Sequence, residues 1–130
     1  MEIRKIIFIL TVSLCSLGAH GKTPSREYMS VQQAETRWGK ASFDTKKFKS
    51  GNEEVKASMV VSLITSKAFV GKPFKDVRKE LGDPDGYFEN KAIPAYLLST
   101  KEKDIWQVIF LPDDKWEKVD EVRIHKNCCN

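Results

Sequence analysis

Between residues 53 and 68 the apolar positions fall at the spacing of neighbours on one side of a helix, Met59 with Leu63 and Val60 with Ile64. Ala57, Val61 and Ala68 form a second stripe well round the same cylinder. The pattern predicts a helix from about Glu53 to Ser66 that is apolar on too many sides to be satisfied by one neighbour. Ser50 or Asn52 can cap its first turn, Glu53 and Glu54 suit its positive end, and Lys67 suits its negative end.

A second helix lies inside the run FVGKPFKDVRKELGDPDGYF, residues 69–88. Pro73 stands where a first helical residue has no use for its N–H, and Phe74, Val77 and Leu81 share one face. Gly82 offers the positive-φ position that closes a helix, Asp83-Pro84 cannot continue it, and Asp85-Gly86 is turn chemistry leading into Tyr87-Phe88. As working carboxylates, Asp83 and Asp85 have no nucleophile, base or second acidic cluster close by in sequence. As a calcium loop they lack the glycine spacing and the terminal glutamate. The stretch reads as a helix stop followed by a turn.

Three strand-like runs follow, Ala95 to Thr100, Ile105 to Leu111 and Val119 to His125. The middle run is apolar on both sides, with Trp106, Val108 and Phe110 alternating against Ile105, Gln107 and Ile109, which predicts a central strand. In the last run Val122 and Ile124 point one way and Glu121, Arg123 and His125 the other, the pattern of a strand with one wet face. Lys101 to Asp104 and Pro112 to Lys115 supply the reversals. The expected fold is therefore α+β, two helices packed on a three-stranded antiparallel β-meander, over residues 51–126.

Residues 22–50 are polar and poor in aliphatics, yet hold Trp38, Phe43 and Phe48. Their first part reads as a tether. Three aromatics are costly to leave in water, so Trp38 to Phe48 is expected to lie across the domain as an extended arm that covers the surplus stripe of the first helix. The alternative is a disordered leader with scattered surface aromatics.

Ahead of the arm, Arg4 and Lys5 precede an apolar run from Ile6 to Leu17, and Gly18, Ala19 and Gly21 supply small residues for a signal peptidase. Residues 1–21 read as a secretory signal, cleaved after Ala19 or Gly21. The run is shorter than the about 20 residues needed to cross a bilayer, so no transmembrane helix is expected in the mature chain. A lipid anchor at Cys15 is the competing reading, disfavoured because Leu14 is bulky where a lipoprotein peptidase expects Gly, Ala or Ser.

The chain carries 22 Lys and Arg against 18 Asp and Glu. The two signs are interspersed, as in Lys101-Glu102-Lys103, and no basic stripe alternates with stacking aromatics, which argues against nucleic acid as a partner. Candidate chemistry is thin. His125 is read as a lone ring on the polar side of the last strand, and no Gly-x-Ser-x-Gly elbow is present. No catalytic, cofactor-binding or metal-binding residue is assigned, and no cofactor and no enzymatic activity are expected.

Residues 127–130 form a tail with an adjacent pair, Cys128-Cys129. Neighbouring Cα atoms are about 3.8 Å apart, whereas a bridge prefers roughly 5.5 Å, so a vicinal disulfide is strained. The pair can close that ring, bridge to another chain, or remain as reactive thiols. Export to an oxidising compartment favours the oxidised forms.

The run Gly71-Lys72-Pro73-Phe74-Lys75-Asp76-Val77-Arg78-Lys79-Glu80-Leu81-Gly82-Asp83-Pro84-Asp85, with Tyr96-Leu97-Leu98 and Trp106 to Phe110 after it, resembles the SmpA/OmlA family. That family contains small outer-membrane lipoproteins, among them an accessory component of the β-barrel assembly machinery. It shares a helix-helix-three-strand fold with the repeats of β-lactamase inhibitor proteins. The resemblance spans about Glu53 to Ile124 and rests on the fold-motif residues Gly71, Val77, Leu81, Gly82 and Pro84. It implies the architecture and a binding role, and assigns no functional residue. The expected function is that of a non-enzymatic exported protein of the periplasm or cell envelope, acting as an accessory or scaffold through contacts with protein partners, with peripheral envelope association. The alternative is an exported inhibitor of an enzyme such as a hydrolase.

The cysteine pair gives the first testable prediction. Intact mass and non-reducing electrophoresis of exported protein should show Cys128 and Cys129 oxidised, either as a monomer two hydrogens light or as a reducible dimer or adduct. Two fully alkylatable thiols would refute this.

Overall fold

Asn52 begins the longest described helix by accepting the Val55 amide on its side chain at 3.0 Å, with Glu53 and Glu54 in the first turn. The computed structural model describes residues 28–88, 93–101 and 103–127. In chain order these form β1 (Tyr28–Met29), α1 (Val31–Trp38), α2 (Thr45–Ser50), α3 (Glu53–Thr65), α4 (Phe74–Leu81), β2 (Gly86–Phe88), β3 (Ile93–Ser99), β4 (Ile105–Pro112) and β5 (Val119–Asn127). Residues 1–21, read from the sequence as a secretory signal, together with Cys128 and Cys129, lie outside the described residues.

The fold is α+β, with four described helices and a five-stranded antiparallel sheet in the order β1-β5-β4-β3-β2. Two expectations need correction. The sheet is larger than a three-stranded meander, because β2 pairs outside β3 and β1 outside β5. These flanking strands have three and two residues, too short to print an alternating pattern. The segment expected to be extended also holds two helices. Ser30 and Gln33 close a reciprocal capping box at the start of α1, at 3.1 and 2.9 Å, and Asp44 caps α2 by accepting the Lys47 amide at 2.9 Å.

The meander β3-β4-β5 forms the middle of the sheet with β4 at its centre, in a register that aligns Tyr96, Val108 and Ile124 across the three strands. These side chains point to the helical face. There they join Met59, Val60, Val61 and Leu63 of α3, Val77 and Leu81 of α4, Ala34 of α1 and Phe48 of α2 in one buried core. α3 packs against β3, α1 and α2 together, so its apolar circumference is covered from several sides.

Five aromatic rings lock this core. Phe43 meets Phe48, Phe48 meets Tyr96, Tyr96 meets Phe110, Phe110 meets Phe69, and Phe69 returns to Phe43. All five contacts are edge-to-face, with centroids 5.7 to 6.0 Å apart, the arrangement the ring quadrupole favours. The circuit joins the segment ahead of α3, the turn after α3 and the two central strands.

A second, smaller core, Phe88, Ile93, Ala95 and Ile109, lies on the opposite face of the sheet. His125 is there too, only 8% exposed, which corrects its reading as a surface ring. Tyr28 of β1 packs against it at 5.5 Å, as expected for a directly paired residue. Phe88 of β2 also reaches it, at 4.5 Å, although β2 stands three places away from β5 in the sheet. Adjacent strands are about 4.8 Å apart, so a flat sheet could not make that contact. The sheet curls over this face, which accounts for the full burial of Ile109 on a side to which no described helix contributes core residues.

At the end of α4 the Gly82 amide donates to the Arg78 carbonyl at 2.9 Å, and Gly82 has φ +85°. A Cβ there would also meet the Lys49 side chain at 3.3 Å. Gly82→Val is expected to destabilise the domain by about 1 kcal/mol or more, read as a lowered thermal midpoint. A Gly82→Val protein as stable as its parent contradicts this account of the helix stop.

Candidate functional site

β2 stops covering the edge of β3 at Gly86, opposite Ala95. The Asp85 amide still donates to the Ala95 carbonyl at 3.0 Å, and the Asp85 carboxylate then turns along the edge and accepts the Leu97 amide at 2.8 Å. Beyond the strand, Glu53 Oε2 accepts from the Thr100 amide at 3.0 Å and from its hydroxyl at 2.7 Å. Two carboxylates, one from the turn before β2 and one from α3, therefore satisfy the backbone donors of Leu97 and Thr100, on either side of a register shift between β3 and β4 at Leu97/Ser99. Edge strands need such management, because unpaired amides invite adventitious pairing.

Between the two carboxylates a groove of about 730 Å³ opens over Leu98 and Ser99, walled by Trp38 from α1 and by Lys56 and Ala57 from α3. At its rim Lys101 and Glu54 form an ion pair at 2.8 Å with both side chains well exposed. That pairing holds the Glu54 carboxyl below its ordinary range and raises the Lys101 ammonium. Lys56 differs. Its Nζ sits 5.6 Å from the Phe48 centroid and 5.7 Å from that of Tyr96, over two members of the aromatic circuit, and it forms no ion pair among the described residues. Tyr96 itself is fixed from below by donating its hydroxyl to the Gly82 carbonyl at 2.7 Å, and burial pushes its phenol well above the usual range.

A second groove, about 830 Å³, runs between α1 and the sheet and is lined by Tyr28, Gln32, Arg37 and Trp106. The Arg37 guanidinium lies over the Trp106 ring at 5.6 Å, while the buried Trp106 Nε1 has no hydrogen-bond partner among the described residues. Aromatic and arginine side chains of this kind dominate binding energy at protein interfaces.

The fold-motif residues serve packing and turns. Gly71, with φ +85°, donates its amide to the Val119 carbonyl at 2.8 Å, Val77 and Leu81 are buried, and Pro84 is half-buried just past the helix stop. None of them lines either groove. Asp85 does more than terminate a helix, since its carboxylate guards the β3 edge. The contribution of Glu53 to the same edge links residues 47 positions apart, a pairing that no local pattern announces. Among the described residues no three His, Cys, Asp or Glu side chains converge as a metal site would require, and no described helix is long and apolar enough to cross a membrane.

No protein-family model matches the chain, and no curated protein and no solved structure matches it.

Proposed function

We propose that this protein works by binding other proteins, as a non-enzymatic accessory or scaffold of the cell envelope with the SmpA/OmlA-like architecture that its helix-stop motif resembles. One observation carries the reading. The carboxylates that line the groove beside β3 are engaged within the chain, Glu53 and Asp85 by backbone amides and Glu54 by Lys101, so what the groove offers a visitor is a contact surface dominated by the half-buried Trp38 and Lys56 side chains. The second groove adds the stacked Arg37 and Trp106. Exposed Tyr87 and Trp116 extend the same kind of chemistry elsewhere on the surface.

The order helix, helix, strand, strand, strand that the resemblance implies occurs as α3, α4, β3, β4, β5, with β2 inserted before β3. The apolar N-terminal segment supports delivery to the envelope.

A photoreactive amino acid placed in turn at Gln32, Thr100 and Trp116 of the protein in its native cells tests the reading. All three positions are exposed. Discrete crosslinked products with envelope proteins, from protein recovered in the envelope fraction, are expected. A stoichiometric product with a soluble exported hydrolase would move the assignment to the inhibitor alternative. Retention in the cytoplasm, or no crosslink from any of the three positions, would overturn it.

A further inference from the structure

Along the chain the two signs of charge are interspersed, but folding sorts them. Residues 40–50 and 72–83, which hold α2 and α4, carry eight Lys and Arg against four Asp and Glu, whereas the other described residues carry nine against ten. α2 packs on α4, and the Lys49 side chain lies beside Gly82 at the α4 stop, so the two excesses merge into one basic layer. Phe48, Val77 and Leu81 turn inward, while Lys46, Lys47, Lys49, Lys75, Arg78 and Lys79 are all exposed. None of these six forms an ion pair among the described residues. Their placement works against folding. Lys46 and Lys47 stand in the first turn of α2, where the helix dipole disfavours cations, and Lys75 repels Lys79 one turn further along α4. An anionic partner relieves both.

Beside the layer the Arg78 guanidinium lies over the ring of Tyr87 at 5.5 Å, and that tyrosine is 52% exposed. Tyrosine and arginine are the side chains that anchor protein interfaces. No exposed large apolar side chain belongs to α2 or α4, so the layer has nothing to insert into a bilayer, and no exposed ring is interleaved with its lysines as stacking on nucleic acid requires. Resting on the protein-contact reading above, we propose that the α2–α4 layer docks an acidic segment of a partner protein. The segment sets its carboxylates on the lysines of both helices and packs against the Arg78–Tyr87 stack. Pairs with exposed lysines are screened by salt, so they steer the encounter, while the stack holds the partner once it has arrived.

The test uses the full chain and two blocked peptides, one alternating glutamate with serine around a central leucine, the other with glutamine in place of every glutamate. Amide shifts are followed by NMR during titration. The glutamate peptide is expected to bind, with shifts centred on α2, α4 and Tyr87 and an affinity that falls as salt rises, and the glutamine peptide is not. Lys46→Gln combined with Lys79→Gln should weaken binding roughly tenfold, the scale of losing two such contacts. Lys103→Gln combined with Lys115→Gln removes the same charge elsewhere on the surface and should leave binding nearly unchanged, with a dispersed spectrum retained in both proteins. Binding of neither peptide, equal binding of both, shifts centred elsewhere, or equal losses in the two double variants would each overturn the proposal. Tighter binding of phosphatidylglycerol vesicles or of a single-stranded oligonucleotide than of the glutamate peptide, at the same residues, would give the layer to a lipid surface or a nucleic acid and overturn it. Concentration-dependent changes in α2 and α4 without peptide would place a second copy of the chain there and overturn it too. If it fails while crosslinks from Gln32, Thr100 or Trp116 persist, only the assignment of this layer falls and the protein-contact reading stands.

Discussion

The closed circuit of Phe43, Phe48, Tyr96, Phe110 and Phe69 is the constraint on which the rest of the molecule depends. Each edge-to-face contact contributes about 0.5–1.5 kcal/mol beyond the area it buries, and the rings come from four separate stretches of chain. Phe43 and Phe48 bring α2 and the loop before it onto the sheet, and Phe69 brings the turn after α3. Tyr96 carries the connection to the α4 stop through the Gly82 carbonyl. Lys56 rests on two of the same rings, so one ammonium of the groove beside β3 is positioned by the core itself. Packing and the proposed binding surface are one structure seen from inside and outside.

Three carboxylates in this protein act as substitutes for missing strand and turn partners. Asp85 and Glu53 accept amides at and beyond the β3 edge, and Asp113 accepts those of Glu117 and Lys118 at 2.9 and 3.3 Å in the β4–β5 turn. Those two amides and the nearby lysines hold the Asp113 carboxyl below its ordinary range. On the other side of the sheet, β5 is shielded by backbone. Gly71 and Lys72 bond to Val119 at one end, and β1 pairs with Ile124 and His125 at the other. At Leu98–Ser99 the ladder itself is interrupted, since β3 shifts register there against β4.

Much of this was legible in the sequence where a single period runs for long enough. The α3 stripe, the Pro73-to-Gly82 punctuation of α4 and the strand-like runs of β3, β4 and β5 locate these elements to within a residue or two. Helices α1 and α2 escaped because they are short and polar, with one fully buried residue each, Ala34 and Phe48. Their caps, Ser30 with Gln33 and Asp44 before Lys47, were the available signal. His125 misled for a different reason. Glu121 and Arg123 share its face and advertise solvent, whereas burial comes from Phe88, delivered by the curl of the sheet. The groove was invisible because Glu53 and Thr100, and Lys56 and Tyr96, meet only after the chain has folded.

If the aromatic circuit unites the segment ahead of α3 with the sheet, the two must open together. Native-state hydrogen exchange at rising denaturant measures this at the Phe48 amide, which donates to Asp44 at 2.9 Å in α2, and at the Val108 amide in β4. The account predicts that both are released only by global unfolding, with matching free energies and denaturant dependence. Exchange of Phe48 through a lower-energy local opening, with Val108 still protected, would contradict it.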